Sequence, residues 1–149
     1  MNFTEAKLNR IFILRLHQNE RIHEEIEKFA KQKQVQSALC FFLGGAENDS
    51  KVVVGPKDSN AMPPQPMVTL LEGVHEGCGV GTIFINDAGE PKLHMHAAFG
   101  RNDKTITGCV RMGVEVWQIG EVVILELIGA TARRKKNKQT GFEFLETLT

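Results

Sequence analysis

Hydrophobic and polar residues follow two different periodicities along the chain. Behind Asn19, a residue type that favours a helix N-cap, apolar residues recur at i, i+4, i+7 and i+8. This spacing is typical of one stripe of an amphipathic helix, here of about three to four turns. The stripe consists of Ile22, Ile26, Phe29 and Ala30. The pattern therefore predicts one main helix.

The other apolar segments are short and bounded by glycine, proline or turn residues, which is typical of β-strands. Ser37–Leu43 is almost wholly apolar and is predicted to be buried on both faces. Gly55–Pro66 is predicted to be a loop, because its prolines cannot donate to a ladder. The predicted strands are Arg10–Leu16, Ser37–Leu43, Lys51–Gly55, Val68–Leu71, Gly79–Ile85, Lys92–Phe99, Thr105–Met112, Val114–Gln118 and Val122–Leu127, the last two separated at Gly120.

Short turns between these strands, with the helix inserted after the first strand, predict an α+β fold. The expected architecture is a largely antiparallel β-sheet with one main amphipathic helix packed on one face. A chain of 149 residues fits one domain, 1–149, with its core at about 10–128. A polar N-terminal extension precedes the core. Arg133–Lys138 is predicted to be a charged loop and Phe142–Leu148 a short tail that packs back on the domain.

The charge balance argues against nucleic-acid binding by bulk charge. Eighteen basic and eighteen acidic residues give a formal net charge of zero, whereas proteins that bind nucleic acid by bulk charge usually have a basic excess. Binding of this kind would therefore need a local basic patch or oligomerisation. The one basic cluster is a candidate nucleic-acid contact, with a solvated loop as the alternative. It consists of Arg133, Arg134, Lys135 and Lys136.

Three features indicate a cytoplasmic protein with no membrane attachment. The first residues lack the pattern of a secretory signal. The longest apolar candidate for a membrane span, Val122–Ile128, is short and interrupted by Glu126. Three cysteines at scattered spacings argue against a disulfide framework and for a reducing compartment.

Candidate chemistry lies in one predicted hairpin. His94 and His96 are two residues apart, so they share one face of a strand. If Asn102 and Asp103 are the central turn residues, the numbers of two paired residues add up to 205. His96 then lies opposite Cys109. Directly paired residues have Cβ atoms about 4.5–5.5 Å apart. A register shift by one residue would point Cys109 away.

Two imidazoles and a thiolate suit Zn²⁺, and three protein ligands leave a fourth position for water or substrate. We therefore predict zinc at His94, His96 and Cys109, with Glu115 and His75 as candidates for a fourth or supporting ligand. The alternative is two polar residues on a wet face beside a small apolar cysteine.

The glycine-rich stretch Gly77–Gly81 superficially looks like a phosphate-binding loop. A nucleotide-binding loop needs a strand before it and a helix after it, and here a strand follows. A close approach between backbones is the favoured interpretation.

Several motifs, in order, resemble the PPC domain (plants and prokaryotes conserved). They are Phe42–Ala46 (FLGGA), Val68–Gly73 (VTLLEG), Leu93–Ala97 (LHMHA) and Thr107–Gly113 (TGCVRMG). The resemblance covers about Arg10 to Leu127 and is clearest in the His-x-His strand. Cys109 stands where the family usually has a third histidine. No Arg-Gly-Arg-Pro AT-hook is present, so the plant route to A·T-rich minor grooves is missing.

The resemblance implies a homotrimer of standalone prokaryotic type with a histidine-lined site that can hold zinc. By family association it implies a DNA-binding or regulatory protein with DNA or a protein as partner. A metal-dependent enzyme or small-molecule-binding protein using His94, His96 and Cys109 is the main alternative. A structural trimer without chemistry is the third. The substrate or ligand, the DNA sequence and the biological role do not follow from the sequence.

Overall fold

An eight-stranded antiparallel sheet with one α-helix across one face dominates the structure, a computed structural model that describes residues 1–147. The predicted α+β fold is confirmed. A two-stranded sheet follows at the C-terminal end. The elements are β1 (Lys7–Leu16), α1 (Ile22–Gln32), β2 (Ser37–Ala46), β3 (Lys51–Pro56), β4 (Pro66–Leu70), β5 (His75–Ile85), β6 (Pro91–Arg101), β7 (Lys104–Cys109), a 3-10 helix (Val110–Met112), β8 (Val116–Ile128), β9 (Ala132–Lys136) and β10 (Glu143–Thr147).

The sheet order is β1-β8-β2-β5-β6-β7-β3-β4. Strands β5, β6 and β7 are sequential hairpins, whereas β8 returns from the far end of the chain to lie between β1 and β2. The predicted break at Gly120 is wrong, because β8 runs through it as one strand. The irregularity appears instead as a register shift in the β2–β8 pairing between Gly44 and Gly45.

The core lies between α1 and the sheet. Ile22, Ile26 and Ala30 of the predicted stripe are fully buried. They pack against alternate residues of the central strands, and Phe29 meets Phe12 edge to face with ring centroids 5.2 Å apart. The sheet residues on this face include Ala38, Cys40, Phe42, Val122 and Ile124.

The side of the sheet away from α1 is less covered. Ser37–Leu43 was predicted to be buried on both faces, but Phe41 is 41% exposed and Leu43 60% exposed. The prediction is wrong for this face because α1 covers only one side of the sheet. We call the uncovered side the open face. Its apolar residues include Ile11, Ile13, Phe41, Leu43 and Val80, and strand pairing puts His94 and His96 on the same side.

Two local predictions are also corrected. Asn19 is not the N-cap, because α1 begins at Ile22 and Arg21 occupies the cap position without a side-chain cap bond. Asn19 instead takes a left-handed turn conformation (φ 66°), and its N–H donates to the Val116 carbonyl at 2.9 Å.

The C-terminal segment is a hairpin rather than the predicted charged loop followed by a tail that packs back on the domain. Strands β9 and β10 pair from Ala132–Thr147 to Lys136–Glu143. Phe142, Phe144 and Leu145 are between 43% and 48% exposed, so they do not pack into the core. Residue 148 of the predicted tail lies outside the described residues. No helix within residues 1–147 is long and apolar enough to cross a membrane.

Candidate metal centre

The β6–β7 hairpin has the register predicted from its turn. Arg101 pairs with Lys104 and His96 pairs with Cys109. His94 and His96 lie on the same side of β6 because side chains alternate along a strand. The register thus brings all three predicted ligands together.

The three side chains form a compact triangle. The Nε2 atoms of His94 and His96 are 3.2 Å apart, and their rings meet edge to face with centroids 4.9 Å apart. One ligand atom from each residue, including the Cys109 sulfur, lies within 4.8 Å of the others. Two nitrogens on one tetrahedral zinc lie about 3.3 Å apart, and a nitrogen and a sulfur about 3.6 Å. The donor set therefore fits zinc once the two most distant ligand atoms move slightly closer together.

Cys109 is fixed by the strand that follows it in the sheet. Its side chain is buried, and it pairs with Val53 of β3. The preceding residue, Gly108, lies so close to β3 that a Cβ there would be 2.2 Å from the Val53 carbonyl oxygen. A residue without a side chain is therefore required where β7 meets β3.

The end of β7 opens a space beside the cluster. After Cys109 the chain turns into the 3-10 helix, so in the described pairing β7 reaches β6 no further than His96. On this free part of β6, the Leu93 N–H donates to Glu27 Oε1 of α1 at 3.0 Å. The helix thereby satisfies a backbone group that would otherwise lack a partner strand.

A cavity of about 720 Å³ occupies this space, with the three ligand residues in its lining. One wall is the predicted proline-rich loop, through Pro56, Pro64 and Pro66. Another is the tip of the β9–β10 hairpin, through Thr140 to Phe144. This volume is within the range of small-molecule sites, which is about 300–1,000 Å³.

Basic residues lie in the lining of the same cavity as the cluster, among them Arg111 and Arg134. Desolvation is the main cause that lowers the pKa of His94, and the positive charges of Arg134, His96 and Arg111 add to it. A lowered pKa favours the neutral imidazole, which is the form that binds metals.

The predicted basic cluster is split between two environments. Arg133, Lys135 and Lys136 are exposed, but Arg134 is only 6% exposed. Its Nη2 donates to the Thr82 carbonyl and hydroxyl at 3.2 and 2.9 Å, and its Nε to the Lys92 carbonyl at 3.2 Å. Arg134 therefore faces the cavity instead of solvent, because alternate residues of β9 point to opposite sides.

Two predicted supporting ligands lie elsewhere. His75 is buried at the start of β5, with Nδ1 2.9 Å from the Gly73 carbonyl. Glu115 accepts a hydrogen bond from Arg21 Nε at 3.2 Å. Neither belongs to the cluster of His94, His96 and Cys109.

The residues that sequence reasoning missed are Lys92 and Arg111, which line the cavity with Arg134. The one signal for Arg111 in the sequence was its place two residues after Cys109. The position of its side chain in the cavity depends on the 3-10 helix. The Gly77–Gly81 stretch lies within β5, and a Cβ on Gly81 would be 2.8 Å from the backbone carbonyl oxygen of His94 on β6. The predicted close backbone approach is confirmed.

The family follows from comparison with known proteins. The model of the Plants and Prokaryotes Conserved (PCC) domain matches residues 3–128. The chain belongs to this family. The cavity wall formed by β9 and β10 lies beyond the matched segment. No curated protein matches the chain.

Solved structures have the same fold. A plant- and prokaryote-conserved (PPC) protein from Pyrococcus horikoshii aligns with a TM-score of 0.84 and 24% identity, over 100% of this chain and 99% of that one. A metal-containing protein from Archaeoglobus fulgidus aligns with a TM-score of 0.81 and 24% identity, over 100% of both chains. A "putative DNA-binding protein" from Bacteroides thetaiotaomicron aligns with a TM-score of 0.76 and 16% identity, over 95% and 97%. At these identities the likeness concerns the fold.

Proposed function

We propose that this PCC-family chain holds a zinc ion through His94, His96 and Cys109 and uses it to bind or transform a small molecule. The observation that carries the proposal is the convergence of three ligand atoms within 4.8 Å. Two imidazoles and one thiolate suit zinc, and a protein of the same fold is described as metal-containing.

A site with three protein ligands leaves one coordination position free. Zinc at such a site supplies Lewis-acid chemistry and makes bound water more acidic. The chain's own residues orient the ligands: β6 presents both imidazoles on one side, and β3 holds Cys109 in place. The cavity beside them supplies room for a bound molecule. The protein is an enzyme if this molecule is a substrate, and a binding protein if it is a regulatory ligand.

The test is metal content by mass spectrometry on untagged protein purified without chelator. We expect about one zinc per chain in the wild type and its loss in His96→Ala and Cys109→Ala. His17→Ala is the matched control, since it removes an exposed histidine outside the cluster. Unchanged zinc content in His96→Ala would contradict the proposal, and unchanged content in Cys109→Ala would remove the sulfur from the ligand set.

DNA or regulatory-partner binding is the second candidate function. It is favoured by the description of structural neighbours as DNA-binding, and in this chain by the exposed cations Arg133, Lys135 and Lys136. Lys135 already pairs with Glu146 at 3.3 Å, and the net charge is zero. We expect binding of this kind to depend strongly on salt and on several copies of the chain.

A gel-shift series over salt concentration tests this candidate. The triple variant Arg133→Ala/Lys135→Ala/Lys136→Ala should lose the shift. The control is Lys28→Ala/Lys31→Ala/Lys33→Ala, which removes three exposed cations near α1. Absence of any shift at low salt with the wild type would contradict autonomous DNA binding.

We also propose that the chain works as a single-domain homotrimer in the cytoplasm. All three cysteines are free, which suits a reducing compartment. The apolar residues of the open face supply a surface that a second copy would cover.

A further inference from the structure

The cavity beside the metal centre contains a buried cation, Arg134, that has no ion-pair partner among residues 1–147. Arg134 is 6% exposed, yet no carboxylate of residues 1–147 lies within ion-pair distance of it. Its three described hydrogen bonds use Nε and Nη2 and go to neutral oxygens, so Nη1 has no partner in the described chain. Buried charges are usually paired, because removing an ion from water is unfavourable.

Burial disfavours the charged form of the Arg134 side chain. Desolvation is the main cause that lowers the pKa of Arg134, and the charges of Glu143, Glu27 and Cys109 partly oppose it. Glu27 already binds Lys92 Nζ at 3.1 Å and the Leu93 N–H. The one remaining carboxylate in the lining, Glu143, is exposed on β10.

A second cation lines the same cavity. Arg111 is exposed and, among the described residues, makes no side-chain hydrogen bond or ion pair. Both arginines line the same cavity as the three metal-ligand residues. With the Glu27–Lys92 pair set aside, the lining has two guanidinium groups against one carboxylate.

The remaining walls are largely apolar. They include Val53, Leu93, Pro56, Pro64, Phe142 and Phe144. Inorganic phosphate would leave these walls without contacts, whereas an apolar molecule without charge would leave both arginines unpaired. The lining therefore suits a molecule with an anionic end and an apolar body.

We propose that the natural ligand of this cavity is a small organic anion, a carboxylate or phosphate ester with an apolar body. Its anionic group binds Arg134 and Arg111 through charge-assisted hydrogen bonds. Its body packs between the proline-rich loop and the tip of the β9–β10 hairpin. The inference deepens the proposed function, on which it rests for the adjacent zinc.

The experiment is isothermal titration calorimetry at constant ionic strength with the full chain, both zinc-loaded and chelator-treated. Benzoate and phenyl phosphate are the probes, and they distinguish carboxylate from phosphate recognition. Inorganic phosphate lacks the apolar body and benzyl alcohol lacks the anion. We expect at least one of the two probes to bind more tightly than both of these.

Arg111→Gln is the decisive variant, because this exposed side chain has no described partner whose loss would unfold the protein. It should raise the Kd of the bound probe about tenfold or more, the usual effect of removing a charged hydrogen bond. Arg133→Gln, which removes an exposed arginine beside Arg134, should leave the Kd unchanged. Arg134→Gln, compared only if its circular dichroism matches wild type, should weaken binding at least as much.

Each outcome has a distinct meaning. If zinc binds in stoichiometric amount but neither probe binds, the anion site is overturned and the metal centre is retained. Equal Kd values for Arg111→Gln and Arg133→Gln in the zinc-loaded protein would have the same meaning. Benzyl alcohol binding as tightly as benzoate and phenyl phosphate would also overturn it. Arginine-dependent binding to a chain that takes up no zinc would overturn the metal proposal and support the anion site.

Discussion

Single residues control whether the cluster can form. His94 and His96 share one side of β6 by strand alternation, and Cys109 reaches them because it is paired with His96. The close packing of Gly108 against β3 holds the neighbouring Cys109 in place. The cluster therefore depends both on the identity of its ligand residues and on the absence of a side chain at Gly108.

At the residue scale, we predict that Gly108→Ala destabilises the fold and weakens zinc binding. The new Cβ would lie 2.2 Å from the Val53 carbonyl oxygen, so β3 or β7 must shift. Overpacking of this kind typically costs about 1–3 kcal/mol in the free energy of unfolding. Chemical denaturation and zinc titration would measure both effects.

Gly100→Ala on the same hairpin is the matched control. Its Cβ would meet no atom closer than 3.8 Å, which is ordinary contact. Its effect on stability should stay within about 0.5 kcal/mol. Equal stability of the two variants would show that the β7–β3 approach is looser than the structure indicates.

At the scale of elements, one ion pair joins the first strand, the last long strand and the end of the helix. Glu126 of β8 lies on the helix side of the sheet with a side chain 6% exposed. It accepts hydrogen bonds from Arg10 Nη2 and Nε at 2.5 and 2.6 Å and from Asn9 Nδ2 at 2.7 Å. Arg10 Nη2 also donates to the Lys33 carbonyl at 3.0 Å, just beyond α1.

We predict that this pair makes stability fall in acid. The hydrogen bond from Arg10 is the main cause that lowers the pKa of Glu126, despite the opposing effect of burial. A carboxylate whose pKa is lowered on folding stabilises the native state above its unfolded pKa, about 4.3. That contribution is lost as the pH falls through the lower folded value.

Thermal unfolding from about pH 7 to about pH 3 would measure the loss. Glu126→Gln should show a shallower fall of Tm with decreasing pH than wild type. Glu25→Gln, which removes a carboxylate from the Glu25–Lys28 pair on α1, is the control and should keep the wild-type slope. Identical slopes for wild type and Glu126→Gln would refute the assignment.

At the scale of the whole molecule, the open face has an apolar surface that one chain leaves uncovered. Ile13 is 84% exposed, Leu43 60% and Val80 55%, on β1, β2 and β5, which lie within four consecutive strands of the sheet. Apolar residues exposed together favour association, because burial removes them from water. The metal cluster lies on this same face.

We predict that the wild-type protein elutes with the mass of three 16.6 kDa chains in light scattering coupled to size exclusion. Leu43→Glu should dissociate the trimer, because a carboxylate would be buried in an apolar contact. Gln36→Glu, an exposed position next to β2, should leave the mass unchanged. A monomeric wild type would contradict the proposed trimer and leave the open face without an explanation.

Local patterns in the sequence determined much of this protein. The apolar stripe predicted α1, turn residues predicted the β6–β7 hairpin, and the turn's symmetry placed His96 opposite Cys109. These features depend on side-chain periodicity and hydrogen-bond pairing, which act over a few residues and are visible in one dimension. The order of the motifs also indicated the PCC family, which the family model confirmed.

Tertiary structure decided the rest. The uncovered side of β2, the hairpin of β9 and β10 and the orientation of Arg134 depend on which distant segments meet. Arg133, Arg134 and Lys135 look alike as a basic run, but strand alternation and packing against β5 and β6 bury only the middle one. The cavity exists because segments distant in sequence converge where β7 ends. Such long-range contacts depend on the geometry of the whole sheet, which local periodicity does not encode.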